Sequence, residues 1–189
     1  MRVPEINIVP VGAVDQDVLD HLALTIGESF NTRCNCVNRA LNVRDAYDPT
    51  RRQYNSTQIL TMLLDLSRAD GNKILGVTGV DLFIPILTFV FGEAQLGGQV
   101  ALISVHRLHP EFYGLPEDQR LFHGRCEKEA KHELGHTCGL KHCRSYDCVM
   151  HVSNSVEQVD LKRSSFCTDC DVLINNFGFH SFDFYMRFR

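Results

Sequence analysis

Residues 132–142 read His-Glu-Leu-Gly-His-Thr-Cys-Gly-Leu-Lys-His, and the rest of the chain is organised around this stretch. His132 and His136 are four residues apart, so on a helix both side chains lie on one face and can reach one ion. Gly139 suits the left-handed conformation that ends a helix, and a chain reversal there would return His142 to the same ion. Three neutral imidazoles leave the fourth position of a tetrahedral Zn²⁺ open to water, so the spacing predicts a catalytic zinc site.

The carboxylate of Glu133 stands beside the first histidine, where it can meet a metal-bound water rather than the metal itself. The alternative interpretation of the stretch is a histidine-rich core helix that holds no metal. A second alternative is a purely structural metal site, but such a site has no use for Glu133. The joint spacing of three histidines, one glutamate and one glycine therefore favours catalysis.

Length and composition indicate one domain with a sizeable core. The chain has 189 residues, 44% of them apolar, which fits a single domain with an upper lobe over about 1–139 and a lower lobe over about 140–189. The net charge of −4 and the lack of a basic block argue against a nucleic-acid partner. The H-E-x-x-H spacing is typical of zinc peptidases, so we expect a peptide substrate, and we expect the protein to be a monomer.

The sequence also predicts a cytoplasmic protein with no membrane association. The first residues do not form the apolar run of a signal peptide, and no stretch approaches the roughly 20 apolar residues of a membrane span. In a reducing compartment, the eight cysteines are expected to be metal ligands or free thiols rather than disulfides.

Four of these cysteines have the spacing of a structural zinc site. Cys143 and Cys148 form C-x₄-C, and after eighteen residues Cys167 and Cys170 form C-x₂-C. Four thiolates occupy all four positions of a tetrahedral zinc and leave none for water, so this zinc would stabilise the C-terminal lobe rather than take part in catalysis. Free thiols, or a redox pair at the second motif, are the alternatives. The other four cysteines are expected to be small buried residues; they are Cys34, Cys36, Cys126 and Cys138.

Hydrophobic periodicity predicts an α/β layer in which helices pack on a mixed, mostly parallel sheet. Strands are expected over residues 5–12, 35–43, 73–80, 88–95 and 99–108. Helices are expected over residues 14–30, 56–66, 124–138, from 155 onward and over 167–176. Within the central active-site helix, Glu127 and Lys131 are expected to pair on the outer surface. Residues 109–123 should form a loop. The segment 88–95 is expected at the edge of the sheet, free or available to an extended peptide.

The run from His132 to Cys170, H-E-x-x-H-x-x-G-x-x-H-C-x₄-C-x-M followed by C-x₂-C, resembles the archaemetzincins, or archaelysins, of the metzincin clan. The resemblance implies a metzincin-like fold with a small C-terminal lobe and two Zn²⁺ per chain. It also implies that Glu133 is the general base, that Met150 lies in a Met-turn below the three-histidine site, and that the activity is that of an aminopeptidase.

Several functional details stay open at this point. An aminopeptidase needs a group that binds the substrate amine, and Glu93 and Asp81 are candidates, although solvated charges are the plainer interpretation. Tyr146 could donate to an oxyanion, or be a surface tyrosine. The aromatic residues of 177–189 could pack on the body as a strand-like tail, or cover the cleft. In the alternative to catalysis, zinc stabilises a latent protein that binds a peptide or protein partner.

Overall fold

The computed structural model of the protein describes residues 4–37, 40–67 and 71–176. The strands in these ranges are β1 (Ile6–Val11), β2 (Cys34–Cys36), β3 (Tyr47–Asp48), β4 (Gln53–Asn55), β5 (Lys73–Thr78), β6 (Leu82–Phe83), β7 (Gly92–Ala94) and β8 (Val100–Ser104). The helices are α1 (Gln16–Phe30), α2 (Ser56–Leu64), α3 (Gln119–Thr137), α4 (Val156–Leu161) and α5 (Thr168–Asn176). None of these helices combines the length and apolar character needed to cross a membrane.

Five strands form the main sheet in the order β2-β1-β5-β8-β7. All neighbouring pairs are parallel except β7 and β8, which are antiparallel. The predicted mixed, mostly parallel sheet is therefore confirmed. The edge strand β7 lies where expected but covers only Gly92–Ala94 of the predicted 88–95. Every residue of β8 is buried, because α1 and α3 pack on one face of the sheet and α2 on the other.

The second predicted strand, over 35–43, is much shorter in the structure. Regular pairing with β1 ends at Cys36, and beyond it a single bridge joins Leu41 to Val11. The Asn42 side chain then accepts a hydrogen bond from the Arg44 backbone N–H at 3.1 Å, and this local turn stops extended pairing.

A second, three-stranded sheet in the order β3-β4-β6 was not predicted from the sequence. β3 and β4 form a hairpin, and β4 pairs in parallel with β6. Strands of two or three residues are too short to show a readable alternation.

The helix predicted to carry the active site, α3, begins at Gln119, five residues before the predicted start. The Asp118 side chain accepts a hydrogen bond from the Leu121 backbone N–H at 2.9 Å, which caps the helix. The predicted 109–123 loop is therefore wrong in its last part. It also contains a three-ten turn, Pro110–Tyr113.

One face of α3 carries charged side chains that hold the segment after the Met-containing turn. Arg125 pairs with Asp160 at 2.7 Å, and the Lys131 ammonium donates to the Ser164 carbonyl at 3.0 Å. The predicted Glu127–Lys131 pair exists at 2.6 Å, but its expected exposure is wrong. Lys131 is only 6% exposed, because residues 159–164 pack over this face. The division into two lobes stays a prediction, and the aromatic tail lies outside the described residues.

Candidate active site and cysteine cluster

Three histidine rings meet at the C-terminal end of α3. The helix ends in a turn at Gly139, whose φ of 81° favours glycine, and the chain then returns His142 toward the helix. One ring nitrogen from each of His132, His136 and His142 lies within 4.8 Å of the other two, so these residues could hold one metal ion. The sequence spacing predicted this convergence.

Backbone carbonyls fix how two of the rings point. The Nδ1–H of His132 donates to the Val149 carbonyl at 2.8 Å, and that of His136 donates to the Leu140 carbonyl at 2.7 Å. A neutral ring that carries its proton on Nδ1 has only a lone pair on Nε2. The two Nε2 atoms nevertheless lie 3.1 Å apart with no proton to share.

This close approach of two lone pairs fits a metal ion between them. Two nitrogens at zinc-binding distance in a tetrahedron are about 3.3 Å apart, close to the separation seen here. Burial, the largest cause in each case, lowers the pKa of all three histidines, which keeps the rings neutral as a metal requires. Three imidazoles form a donor set that suits zinc among several divalent metals.

The side chain of Glu133 is packed against the edge strand. It is 6% exposed, and a Cβ built on Gly92 would lie 2.6 Å from its Cγ and 2.7 Å from its Oε1. Burial raises the pKa of Glu133 well above its ordinary value, and the charge of Glu129 raises it further. Space for this carboxyl therefore depends on the absence of a side chain at position 92.

Met150 lies beneath α3, fully buried. A Cβ on Gly135 would come closer than 3.0 Å to the Met150 sulfur, so helix and turn touch through a glycine. The same turn supplies the Val149 carbonyl that orients His132, while the Met150 carbonyl accepts a hydrogen bond from the Cys143 N–H at 2.9 Å. This turn thus connects the histidine site to the first of the four motif cysteines.

The second group of potential ligands is formed by Cys143, Cys148, Cys167 and Cys170, whose sulfurs lie within 4.8 Å of one another. The sulfurs of Cys143 and Cys167 are 3.8 Å apart, close to the separation of about 3.8 Å for two thiolates on a tetrahedral zinc. A hydrogen bond from Cys170 lowers the pKa of Cys148, which favours a thiolate there. The donor set could hold zinc and leaves no vacancy for water.

The remaining cysteines follow the sequence prediction only in part. Cys126 and Cys138 are buried, as expected, and burial raises the pKa of Cys138 to about 11. Cys34 is half-buried and Cys36 is exposed, so the prediction of burial is wrong for this pair. The reason is their place on β2, a short strand at the edge of the sheet.

A cleft of about 600 Å³ opens in front of the histidines. Its walls come from residues 84–94 and Leu96, from α3, and from the segment Val152–Asn154. Glu129 and Lys141 also line it, and neither was singled out from the sequence. Glu129 lies one helical turn before Glu133, so helical spacing alone could have indicated it. Its carboxylate pairs with the buried Lys162 ammonium at 2.8 Å.

Asp81, Glu93 and Tyr146 are the three residues whose roles the sequence leaves open. Asp81 pairs with Arg107 through two bonds of 2.7 Å, so it already has a cation. Glu93 lines the cleft, whereas Tyr146 is 80% exposed with its ring against His151. Glu93 therefore remains a candidate for amine binding, and Tyr146 fits the interpretation as a surface tyrosine.

A mixed sheet, a helix carrying H-E-x-x-H beside a cleft, and a third histidine after a glycine turn define a zinc metallopeptidase of the metzincin type. The profile of peptidase family M54 matches residues 17–176, and the chain belongs to this family, the archaemetzincins. The predicted family and fold class are thereby confirmed.

Relatives and solved structures agree with this assignment. The chain is 44% identical over 170 residues to the archaemetzincin of Methanocaldococcus jannaschii, covering 90% of this chain and 92% of that one. It is similar to the crystal structure of the Archaeoglobus fulgidus archaemetzincin complexed with malonate, with a TM-score of 0.78, 41% identity, and coverage of 89% and 99%. A zinc-dependent peptidase from Methanocorpusculum labreanum superimposes with a TM-score of 0.82, 29% identity, and coverage of 90% and 100%.

Proposed function

We propose that this zinc metallopeptidase hydrolyses peptide bonds with Glu133 as its general base, and that His132, His136 and His142 hold the catalytic zinc. The observation that carries the proposal is the convergence of three ring nitrogens within 4.8 Å beside a buried carboxyl. When bound, zinc supplies a Lewis acid that acidifies water and polarises the scissile carbonyl.

Glu133 carries the proton between the two halves of the reaction. Its carboxylate takes a proton from the attacking water and then delivers that proton to the departing amine. Burial raises the pKa of Glu133, so this group can hold the proton between the two transfers. The contact with Gly92 keeps the carboxyl beside the edge strand, where a substrate peptide bond would lie.

The edge strand β7 is the element proposed to bind the peptide. Its inner side pairs with β8, and Gly92, Glu93 and Ala94 all line the cleft. An extended peptide can add to such an edge through backbone hydrogen bonds, which position its carbonyl without regard to sequence. The main-chain bond from the Gly97 N–H to the His136 carbonyl, at 2.9 Å, holds the chain after β7 against α3.

The aminopeptidase assignment rests on Glu93. Its carboxylate accepts hydrogen bonds from the Ser56 hydroxyl at 2.5 Å and from the Thr57 hydroxyl at 3.0 and 3.1 Å. These bonds leave acceptor capacity on the carboxylate, and Glu93 is one of the residues that line the cleft. We therefore propose Glu93 as the group that binds the substrate α-amine.

The four-cysteine cluster is proposed to hold the second zinc, with a structural role. It would join the turn that carries Met150 to the start of α5, because Cys143 and Cys148 precede the turn residue and Cys167 and Cys170 lie at the helix. By fixing that turn, the zinc would also fix the carbonyl that orients His132.

The Glu133→Gln variant tests the proposed base. It should retain the zinc content of the wild type and lose hydrolysis, because the amide keeps the shape of the side chain but cannot take the proton. Glu28→Gln, an exposed substitution on α1, is the matched control and should keep full activity. Hydrolysis by the zinc-loaded Glu133→Gln protein would defeat the assignment.

Substrate pairs with a free or an acetylated N-terminus test the aminopeptidase proposal. The wild type should cleave the free-amino peptide preferentially, and Glu93→Gln should reduce that preference. Equal cleavage of both peptides would instead indicate an endopeptidase. A zinc-loaded wild type that cleaves neither would favour the latent, partner-binding alternative.

A further inference from the structure

Part of the wall of the cleft is an apolar loop, residues 84–91, which we call the lip. Six of its residues line the cleft: Ile84, Leu87, Thr88, Phe89, Val90 and Phe91. Ile86 is 87% exposed and Leu87 is 48% exposed. Phe91 at the end of the lip is buried in the core, but the exposed tip gains little from burial, so other contacts must hold its shape.

Arg51 supplies two of these contacts from outside the cleft. Its guanidinium donates from Nη1 to the Leu87 carbonyl at 2.9 Å and from Nη2 to the Pro85 carbonyl at 3.2 Å. The same guanidinium lies over the ring of Phe83, 4.4 Å from its centroid. A planar, forked donor that bridges two carbonyls fixes the loop backbone in a way that a lysine cannot.

Two further side chains hold the lip at its other end. Gln53 donates from Nε2 to the Thr88 carbonyl and to the Asp81 carboxylate, both at 2.9 Å. Arg107 is bonded to the same Asp81 at 2.7 Å and lies over the ring of Phe89, 4.2 Å from its centroid. Three carbonyls and one ring of the lip are thus held by side chains that do not line the cleft.

The small sheet β3-β4-β6 carries this support. Arg51 lies in the turn between β3 and β4, where the Asp48 carboxylate accepts hydrogen bonds from the Thr50 N–H at 2.8 Å and the Arg51 N–H at 3.1 Å. The lip follows directly after β6, which pairs with β4. The hairpin therefore fixes the position of the Arg51 backbone relative to the lip.

We propose that Arg51 is a positioning residue for substrate binding, and that the lip it holds selects extended peptides with apolar side chains at alternate positions. This inference rests on the proposed peptide cleft. A peptide added to β7 turns every second side chain to the same face. The cleft offers apolar partners for such side chains, with Leu87 and Phe89 on the lip and Leu96 and Val152 elsewhere on its lining.

Binding is measured in the Glu133→Gln background, so that hydrolysis does not interfere. The probe is a fluorescein-labelled octapeptide with leucine and phenylalanine at alternate positions, compared with the same peptide carrying serine at those positions. Arg51→Ala should weaken binding of the apolar peptide by about tenfold, the effect of losing two charge-assisted hydrogen bonds at a partly exposed site. Arg51→Lys should lose nearly as much, because it keeps the charge but not the fork.

Arg52→Ala is the matched control, since Arg52 is the next residue in the same turn, exposed, and of the same charge. It should change the dissociation constant of the apolar peptide less than twofold. Thermal unfolding of each variant checks that the fold is retained. With Glu133 intact, Arg51→Ala should raise KM for the apolar peptide and leave kcat unchanged, as expected for lost binding that is uniform along the reaction.

Two results would overturn the inference. Equal dissociation constants for the Arg51 and Arg52 variants would show that the lip does not depend on the guanidinium. An equal loss for the apolar and the serine peptide would show that the lip does not select apolar side chains. Failure of the proposed hydrolysis would leave both binding comparisons intact, so the two proposals fail separately.

Discussion

Substitution of Gly92 by alanine should displace the carboxyl of Glu133, the proposed general base, without removing the metal. The new Cβ would lie 2.6 Å from the Glu133 Cγ and 2.7 Å from both its Oε1 and the Leu102 carbonyl oxygen. Ordinary contact begins at 3.4 Å, so Glu133 or the backbone of β7 must move by about 0.8 Å. The Leu102 carbonyl belongs to β8 and leaves little room for the strand to move instead.

A catalytic group displaced by about 1 Å costs about 100-fold in rate, so Gly92→Ala should lower kcat/KM by about 10- to 100-fold. That loss corresponds to about 1.4–2.7 kcal/mol of transition-state stabilisation. Overpacking between β7 and α3 should also lower the free energy of unfolding by about 1–3 kcal/mol. Zinc content should not change, because the Val149 and Leu140 carbonyls hold His132 and His136.

The assay combines kcat/KM on one peptide, zinc content, and thermal unfolding. Gly124→Ala is the control. Gly124 lies on α3, the helix that carries Glu133, and a Cβ at this position meets nothing within 4 Å. It should keep activity and gain up to about 1 kcal/mol of stability from better helix propensity. A Gly92→Ala protein with wild-type kcat/KM would refute the argument that this glycine sets the position of Glu133.

Three further outcomes can be measured by metal analysis and unfolding. Cys170→Ser should lose one zinc per chain and unfold at a lower temperature, whereas the exposed Cys36→Ser should do neither. Lys162→Met should lower the free energy of unfolding by about 3–5 kcal/mol, since it leaves the buried Glu129 carboxylate without its cation. The double variant that also carries Glu129→Gln should recover part of this loss. With the catalytic metal chelated, Glu133→Gln should raise the unfolding temperature at pH 7 and have little effect at pH 4. Burial raises the folded-state pKa of Glu133 above the ordinary 4.5. As the pH rises above 4.5, the unfolded chain loses this proton more readily than the folded protein, so the glutamate increasingly destabilises the fold.

The convergence of the three histidines could be predicted from the sequence because its geometry is local. His132, Glu133 and His136 lie within two turns of one helix, and the turn at Gly139 needs only the residue type to be recognised. The order of the helices and of the main-sheet strands likewise followed from periodicity, and a glycine and a charge in 88–95 indicated the edge position of β7. The C-x₄-C and C-x₂-C spacings were sufficient to predict that these four sulfurs form one cluster.

Contacts between distant segments could not be predicted in the same way. Glu129 and Lys162 are 33 residues apart, and Arg51 and the Leu87 carbonyl are 36 residues apart, with no local pattern to join them. The exposure expected for Lys131 was wrong for the same reason, because only the folded chain places Ser164 over it. Helical spacing shows which residues lie on the same face of a helix, but it does not show which other segment covers that face.

The most direct test of the zinc-site proposal is a map of anomalous scattering at the zinc edge from crystals of the protein. We expect two peaks per chain, one bound by His132, His136 and His142 with no fourth side chain, and one among the four motif cysteines. A histidine site closed by Glu133 or another side chain, or three rings that do not share one peak, would contradict the proposed hydrolase.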